Sequence, residues 1–178
     1  MSEYALGWKG KAETPPGSEP KYLNLAANQR QALEKFLGRK NEGLLKSIND
    51  NNEMRGRATP LNWHQRVLRI FALGPNTDID NVIRKQQELQ TRTSAAFLDI
   101  DSGRVDRAES VLLHFIHEAI GTLNNREIRN RQDSQPIIQI AETDASEAIA
   151  ALGFIDPKKA TELREEFEKI KFIFVKGH

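Results

Sequence analysis

The chain has 178 residues, 38% hydrophobic and 29% charged, with a formal net charge of +1; that composition suits one globular core and excludes a wholly disordered chain. Cysteine is absent, which excludes disulfides, thiolate metal centres and cysteine nucleophiles. No apolar run approaches the roughly 18 residues a membrane span needs, and residues 1–11 lack the apolar core and cleavage site of a secretory signal, so a cytoplasmic protein without a membrane span is expected.

Residues 1–23 read as an extended arm, because Pro15, Pro16, Gly17 and Pro20 exclude a helix there. Tyr4, Leu6 and Trp8 alternate like one face of a short strand, which suits docking on the chain's own domain or on a partner. A first helix is expected over 24–37, burying Leu25, Leu33, Phe36 and Leu37, with Gly38 as its C-terminal cap. A shorter helix over 42–49 would turn Leu44, Leu45 and Ile48 inward, and a polar loop over 49–57 would follow. Thr59 and Pro60 then form a cap and first helical position, opening a helix with Leu61, His64, Leu68 and Phe71 on one face, ended by Gly74 and Pro75.

The centre reads as a long helical hairpin over about 78–130. Its first arm, 78–100, sets Ile79, Val82, Ile83, Leu89, Phe97 and Ile100 on one stripe. Asp101, Ser102 and Gly103 make the turn, with Asp101 or Ser102 capping the second arm. That arm, 104–130, carries Val105, Ala108, Val111, Leu112, Phe115, Ile116, Ala119, Ile120 and Leu123. Gln86, Gln90 and Thr93 fall inside the first arm's apolar stripe. Buried amides need partners, since an orphan costs about 1–3 kcal/mol. Either this part of the stripe lies at a solvent edge or against the second arm, or it faces another chain.

After a polar stretch, 135–141 reads as a short strand through Ile137, Ile138 and Ile140, and 145–152 as a small helix closed by Gly153. Asp156 and Pro157 repeat the cap-plus-proline start for a helix to about 169, with Ala160, Leu163, Phe167 and Ile170 inward. Residues 171–175, including Phe172 and Phe174, form a second β-prone run.

Three patterns carry candidate chemistry. His114, His117 and Glu118 share a helical face in a set that suits zinc or iron, but the spacing is neither H-E-x-x-H nor Glu-x-x-His, and surface histidines explain it equally. The run from Asp99 to Asp106 has the acids of a calcium loop, yet its glycine arrives one position early and Ser110 stands where a glutamate is needed, so a turn explains it better. Arg107 and His114, seven residues apart, lie about 20° apart on one helix face. This pair is similar to the Arg-x(4–6)-His motif of the helical HEPN ribonucleases. That resemblance covers two residues; it implies His114 as acid/base and Arg107 as phosphate clamp, acting on RNA across a dimer.

Charge is unevenly spread: residues 1–75 carry 12 Lys/Arg against 7 Asp/Glu, 76–131 carry 8 against 9, and 132–178 carry 6 against 9. The basic third suits an anionic partner, and Lys35, Arg39, Lys40, Arg55, Arg57, Trp63, Arg66 and Arg69 are the residues expected to touch nucleic acid.

The expectation is therefore a mainly α fold: a helical bundle around the 78–130 hairpin, one domain over 24–178, and a small α/β segment over 134–178. The expected role is a non-enzymatic interaction, adaptor or regulatory subunit of a larger assembly, with a protein partner or a second copy and no cofactor. Tyr4, Trp8, Gln86, Gln90, Thr93, Phe172 and Phe174 are its expected contact residues. Nucleic-acid binding is the alternative, and a HEPN-like ribonuclease the third reading.

Overall fold

The computed structural model describes residues 20–56, 79–125, 128 and 134–176. Among them the fold is helical throughout: α1 (Ala27–Gly56), α2 (Ile79–Ile100), α3 (Asp106–Asn124), α4 (Gln135–Leu152) and α5 (Pro157–Lys176). The helix expected after Thr59 and Pro60, with Trp63, His64, Arg66 and Arg69, lies outside the described residues, as do Tyr4, Leu6, Trp8 and Arg57.

Helix α1 corrects the two short helices and the loop expected over 24–57: it runs 30 residues without a break. It starts where Gln29 reaches back, its Oε1 accepting from the Ala26 amide at 3.0 Å, the return half of a capping box. Gly38 is not a cap. Its backbone stays helical, and a Cβ there would sit 3.7 Å from the Phe97 ring, so an apolar neighbour covers the bare backbone. Leu45, expected inward, is exposed.

Helices α1 and α2 pack against each other in antiparallel order. Gly38 lies by Phe97, Asn41 by Gln90 and Ser94, and Ser47 and Asn51 by Gln86, so numbers rise on one helix as they fall on the other. Val82, Ile83, Leu89, Thr93, Ala96 and Ile100 of α2 are buried, whereas Phe97, expected on that stripe, is partly exposed beside α1.

The bend between α2 and α3 is tight. Gly103 takes φ +77°, a left-handed conformation that glycine adopts without steric cost, and its amide donates to the Ile100 carbonyl at 2.9 Å. Among the described residues no side chain caps α3. Instead of capping it, Ser102 donates its hydroxyl back to the Asp99 carbonyl, and Asp106 and Glu109 in the first turn complement the helix dipole. The segment before α1 docks on this bend: Tyr22 and Arg104 form an isolated antiparallel bridge, with Leu23 N donating to Gly103 O at 2.9 Å and Val105 N to Lys21 O at 2.8 Å.

Both expected strands are helical. Residues 135–141 open α4, where Pro136 lies in the first turn and needs no N–H partner. Ile138, Ala141, Ala145, Ala148, Ile149 and Leu152 are buried at spacings of three and four, which a helix satisfies and a strand does not. Ile140 is left exposed. Residues 171–175 continue α5 to Lys176; no glycine or proline interrupts the run from Pro157. Asp156 caps α5 as expected, its Oδ1 accepting from the Lys159 amide at 3.1 Å.

The core gathers Leu25, Leu33, Phe36 and Leu37 of the N-terminal part with the inner faces of α2, α3, α4 and α5. On α3 the buried set is Ala108, Val111, Leu112, Phe115, Ile116, Ala119, Ile120 and Leu123, the broad stripe its spacing predicts. Alanines on the facing side of α4 let the two helices approach closely. Among the described residues no helix is long and apolar enough to cross a membrane.

Candidate contact sites on the helical frame

A cluster of rings and charges sits where α1 meets α3 and α4. Phe36 of α1 is buried and meets Phe115 of α3 edge to face. Lys40 and Arg39, one turn on, lie over the Phe36 ring at 5.8 and 5.6 Å, and Lys40 lies 5.0 Å from the Phe115 centroid, distances at which a cation is attracted to a ring face. Both cations also reach α4: Arg39 donates to Glu147 and lies 3.9 Å from Asp144, and Lys40 pairs with Asp144. The hydrogen bond from Arg39, with its charge, holds the Glu147 carboxyl below the usual carboxylate range and raises Arg39 in return.

Beside this cluster runs an open groove of about 230 Å³ between α1 and α4. Its apolar lining is Ala32 and Phe36 from one helix and Ala150, Ala151 and Phe154 from the other side. Lys35, Arg39 and Glu147 add charge at exposed positions. The lining residues of α1 and those from α4 onward recur at the same spacing of three, one and three. Two helical faces therefore diverge over alanines, which are too short to close the gap.

A second charged cluster surrounds the bend. Arg104 grips Asp106 through two nitrogens at 2.7 and 3.0 Å, which lowers the Asp106 carboxyl. Among the described residues Oδ2 of Asp99 accepts no hydrogen bond; it lies 3.2 Å from Arg107 and 3.7 Å from Arg104 and is held by their charge. Glu109 joins Lys21, at 3.0 Å, to Lys159 of α5, at 3.2 Å.

The expected site residues divide as follows. Arg107 faces Asp99 at the bend, while His114 is exposed with Glu118 3.9 Å away. His117 is exposed too, and among the described residues no three His, Asp or Glu side chains are grouped to hold a metal ion. Gln86 accepts from Asn51 at 2.9 Å and donates to Ser47 at 2.9 Å. Gln90 donates to Asn41 and Ser94 at 3.1 and 3.0 Å, and buried Thr93 donates to the Leu89 carbonyl at 2.8 Å. The amides thus face α1 and form a ladder with it. Of the basic set, Arg39 and Lys40 are matched to acids on α4, Lys35 lines the groove, and the Arg55 side chain lies outside the described residues, as do those of Phe172 and Phe174.

Sequence reasoning passed over Ala32, Ala150, Ala151 and Phe154. The signal for the last three is their spacing with Glu147 along one helical face, and Phe154 standing just past Gly153. No family model, no curated protein and no solved structure matches the chain.

Proposed function

We propose that the chain is a non-enzymatic interaction or regulatory subunit, a helical bundle built around the α2–α3 hairpin, that engages protein through the α1–α4 groove. The observation that carries this reading is the groove itself, with its apolar lining from two helices and both signs of charge exposed beside it. Small-molecule sites begin at about 300 Å³, so a smaller open groove suits one large side chain of a protein segment better than a cofactor. Seating an anchor residue between helices is the usual helix-groove mode of peptide recognition, with apolar contact giving affinity and flanking charge giving orientation.

The test is co-purification from the organism that encodes the chain, comparing the native sequence with Ala150→Gln. Ala150 is exposed and lines the groove, so the longer side chain fills the space without entering the core. A partner retained by the native chain and lost with the variant supports the reading. A lone monomer, or the same partners with both, overturns it.

A further inference from the structure

We infer that the occupant of the α1–α4 groove is a second copy of this chain, each copy seating its Ile140 in the other's groove about a two-fold axis at the Arg39–Glu147 bridge. This rests on the groove being a protein-contact surface.

A knob and a hole share one face of α4. Ile140 is 62% exposed, although it is a large hydrophobic side chain, and it lies one helical turn before Asp144. Ala150 lies three residues past Glu147 and lines the groove, with Ala151 and the Phe36 and Phe154 rings around it. The ionic bridge to α1, through Asp144 and Glu147, thus stands between the knob and the hole. About 15 Å separates Ile140 from Ala150 at 1.5 Å per residue.

Helix α1 repeats the arrangement in charge. It runs antiparallel to α4, because Lys40 meets Asp144 while Ala32 and Phe36 share the groove with Ala150 and Phe154. Arg39 lies four residues after Lys35 and three before Glu42. Lys35 and Glu42, two turns apart, fall on one helical face. Both are exposed, and among the described residues neither is engaged in an ion pair.

A two-fold axis in the contact plane, crossing both helices at the bridge, turns each helix end for end. It lays Ile140 over the copy's Ala150 and Lys35 beside the copy's Glu42, and the reverse contacts form at the same time, as an isologous interface requires. The bridge itself holds Arg39, Lys40, Asp144 and Glu147, two cations and two carboxylates, so it brings no net charge against its own image. A single axis relates knob to hole and cation to anion, which selects a second copy over an unrelated partner. The apolar anchors supply the affinity, and the flanking charges fix the register.

Sedimentation of the full chain over micromolar to millimolar concentrations tests this. The native chain should pass from monomer to dimer, and Ile140→Gln should raise the dissociation constant at least about tenfold. Lys35→Glu and Glu42→Lys should each weaken the dimer several-fold at low salt, and the double variant should restore it. Within one chain the two side chains are two turns apart, so only a contact across the axis gives that rescue. All of these positions are exposed, and helix content by circular dichroism should be unchanged. A native chain that stays monomeric overturns the inference, as does a dimer that survives Ile140→Gln or a double variant that is not restored. If the native chain is monomeric while Ala150→Gln still removes a co-purifying partner, the second copy is wrong and the contact role stands.

Discussion

Phe36 of α1 meets Phe115 of α3 with ring centroids 6.0 Å apart and planes at 79°. This edge-to-face contact ties the first helix to the third, and Lys40 stands over both rings. Edge-to-face pairs contribute about 0.5–1.5 kcal/mol beyond the area they bury. A double-mutant cycle of Phe36→Leu and Phe115→Leu, read by urea unfolding, should return a coupling in that range. Strict additivity would show that the rings do not interact.

The amide ladder should respond to partial removal more than to complete removal. Gln86→Leu leaves Asn51, which is buried, and Ser47 without their partner, at a cost of about 1–3 kcal/mol. Replacing Ser47, Asn51 and Gln86 together with apolar residues should recover most of that loss, because no orphaned group remains. The midpoint of chemical unfolding measures both.

Two glycines should respond in opposite directions to alanine. Gly38 is helical, and among the described residues its added Cβ would meet only the Phe97 ring, at 3.7 Å, so Gly38→Ala should stabilise by up to about 1 kcal/mol through helix propensity. At Gly103 the positive φ and the Leu23 carbonyl, 3.1 Å from an ideal Cβ, make alanine strained, with a loss of about 1–2 kcal/mol. Thermal unfolding of the two variants should move the midpoint up for the first and down for the second.

Acid should loosen the attachment of α1 to α4. The folded state lowers the Glu147 carboxyl below 4.5, chiefly through the hydrogen bond from Arg39. Its stabilisation is thus present above the unfolded value and is lost as pH falls through the folded one. Glu147→Gln should therefore cost up to about 1 kcal/mol at neutral pH, as exposed pairs do. The difference from the native chain should vanish in acid and shrink in high salt. Urea unfolding across that pH range checks the sign.

Much of the helical frame was legible because its signals are local. The α3 stripe repeats at three and four residues, Asp156 and Pro157 mark a helix start, and Gly103 marks the bend. The failures arose where a local signal has two meanings. Gly38 has the position of a cap, but Phe97, 59 residues later, covers it within a continuing helix. Ile137, Ile138 and Ile140 look β-prone in isolation, and only the longer pattern reaching Leu152 reveals the helix. The contact site was harder to foresee. Arg39 and Lys40 stood out as cations, yet their acids, Asp144 and Glu147, lie more than a hundred residues away. Alanine carries no chemical signal of its own, so a gap lined by alanines becomes visible only once two helices are placed side by side.

The hydrogen bonds from Leu23 to Gly103 and from Val105 to Lys21 shut about eighty intervening residues into a non-covalent ring, whose closure entropy must be met before the bonds can form. They should accordingly be among the last native contacts to form and among the first to open. A chain trimmed back to α1 should fray at a place remote in sequence from the cut, and faster hydrogen exchange at the Val105 amide should register it.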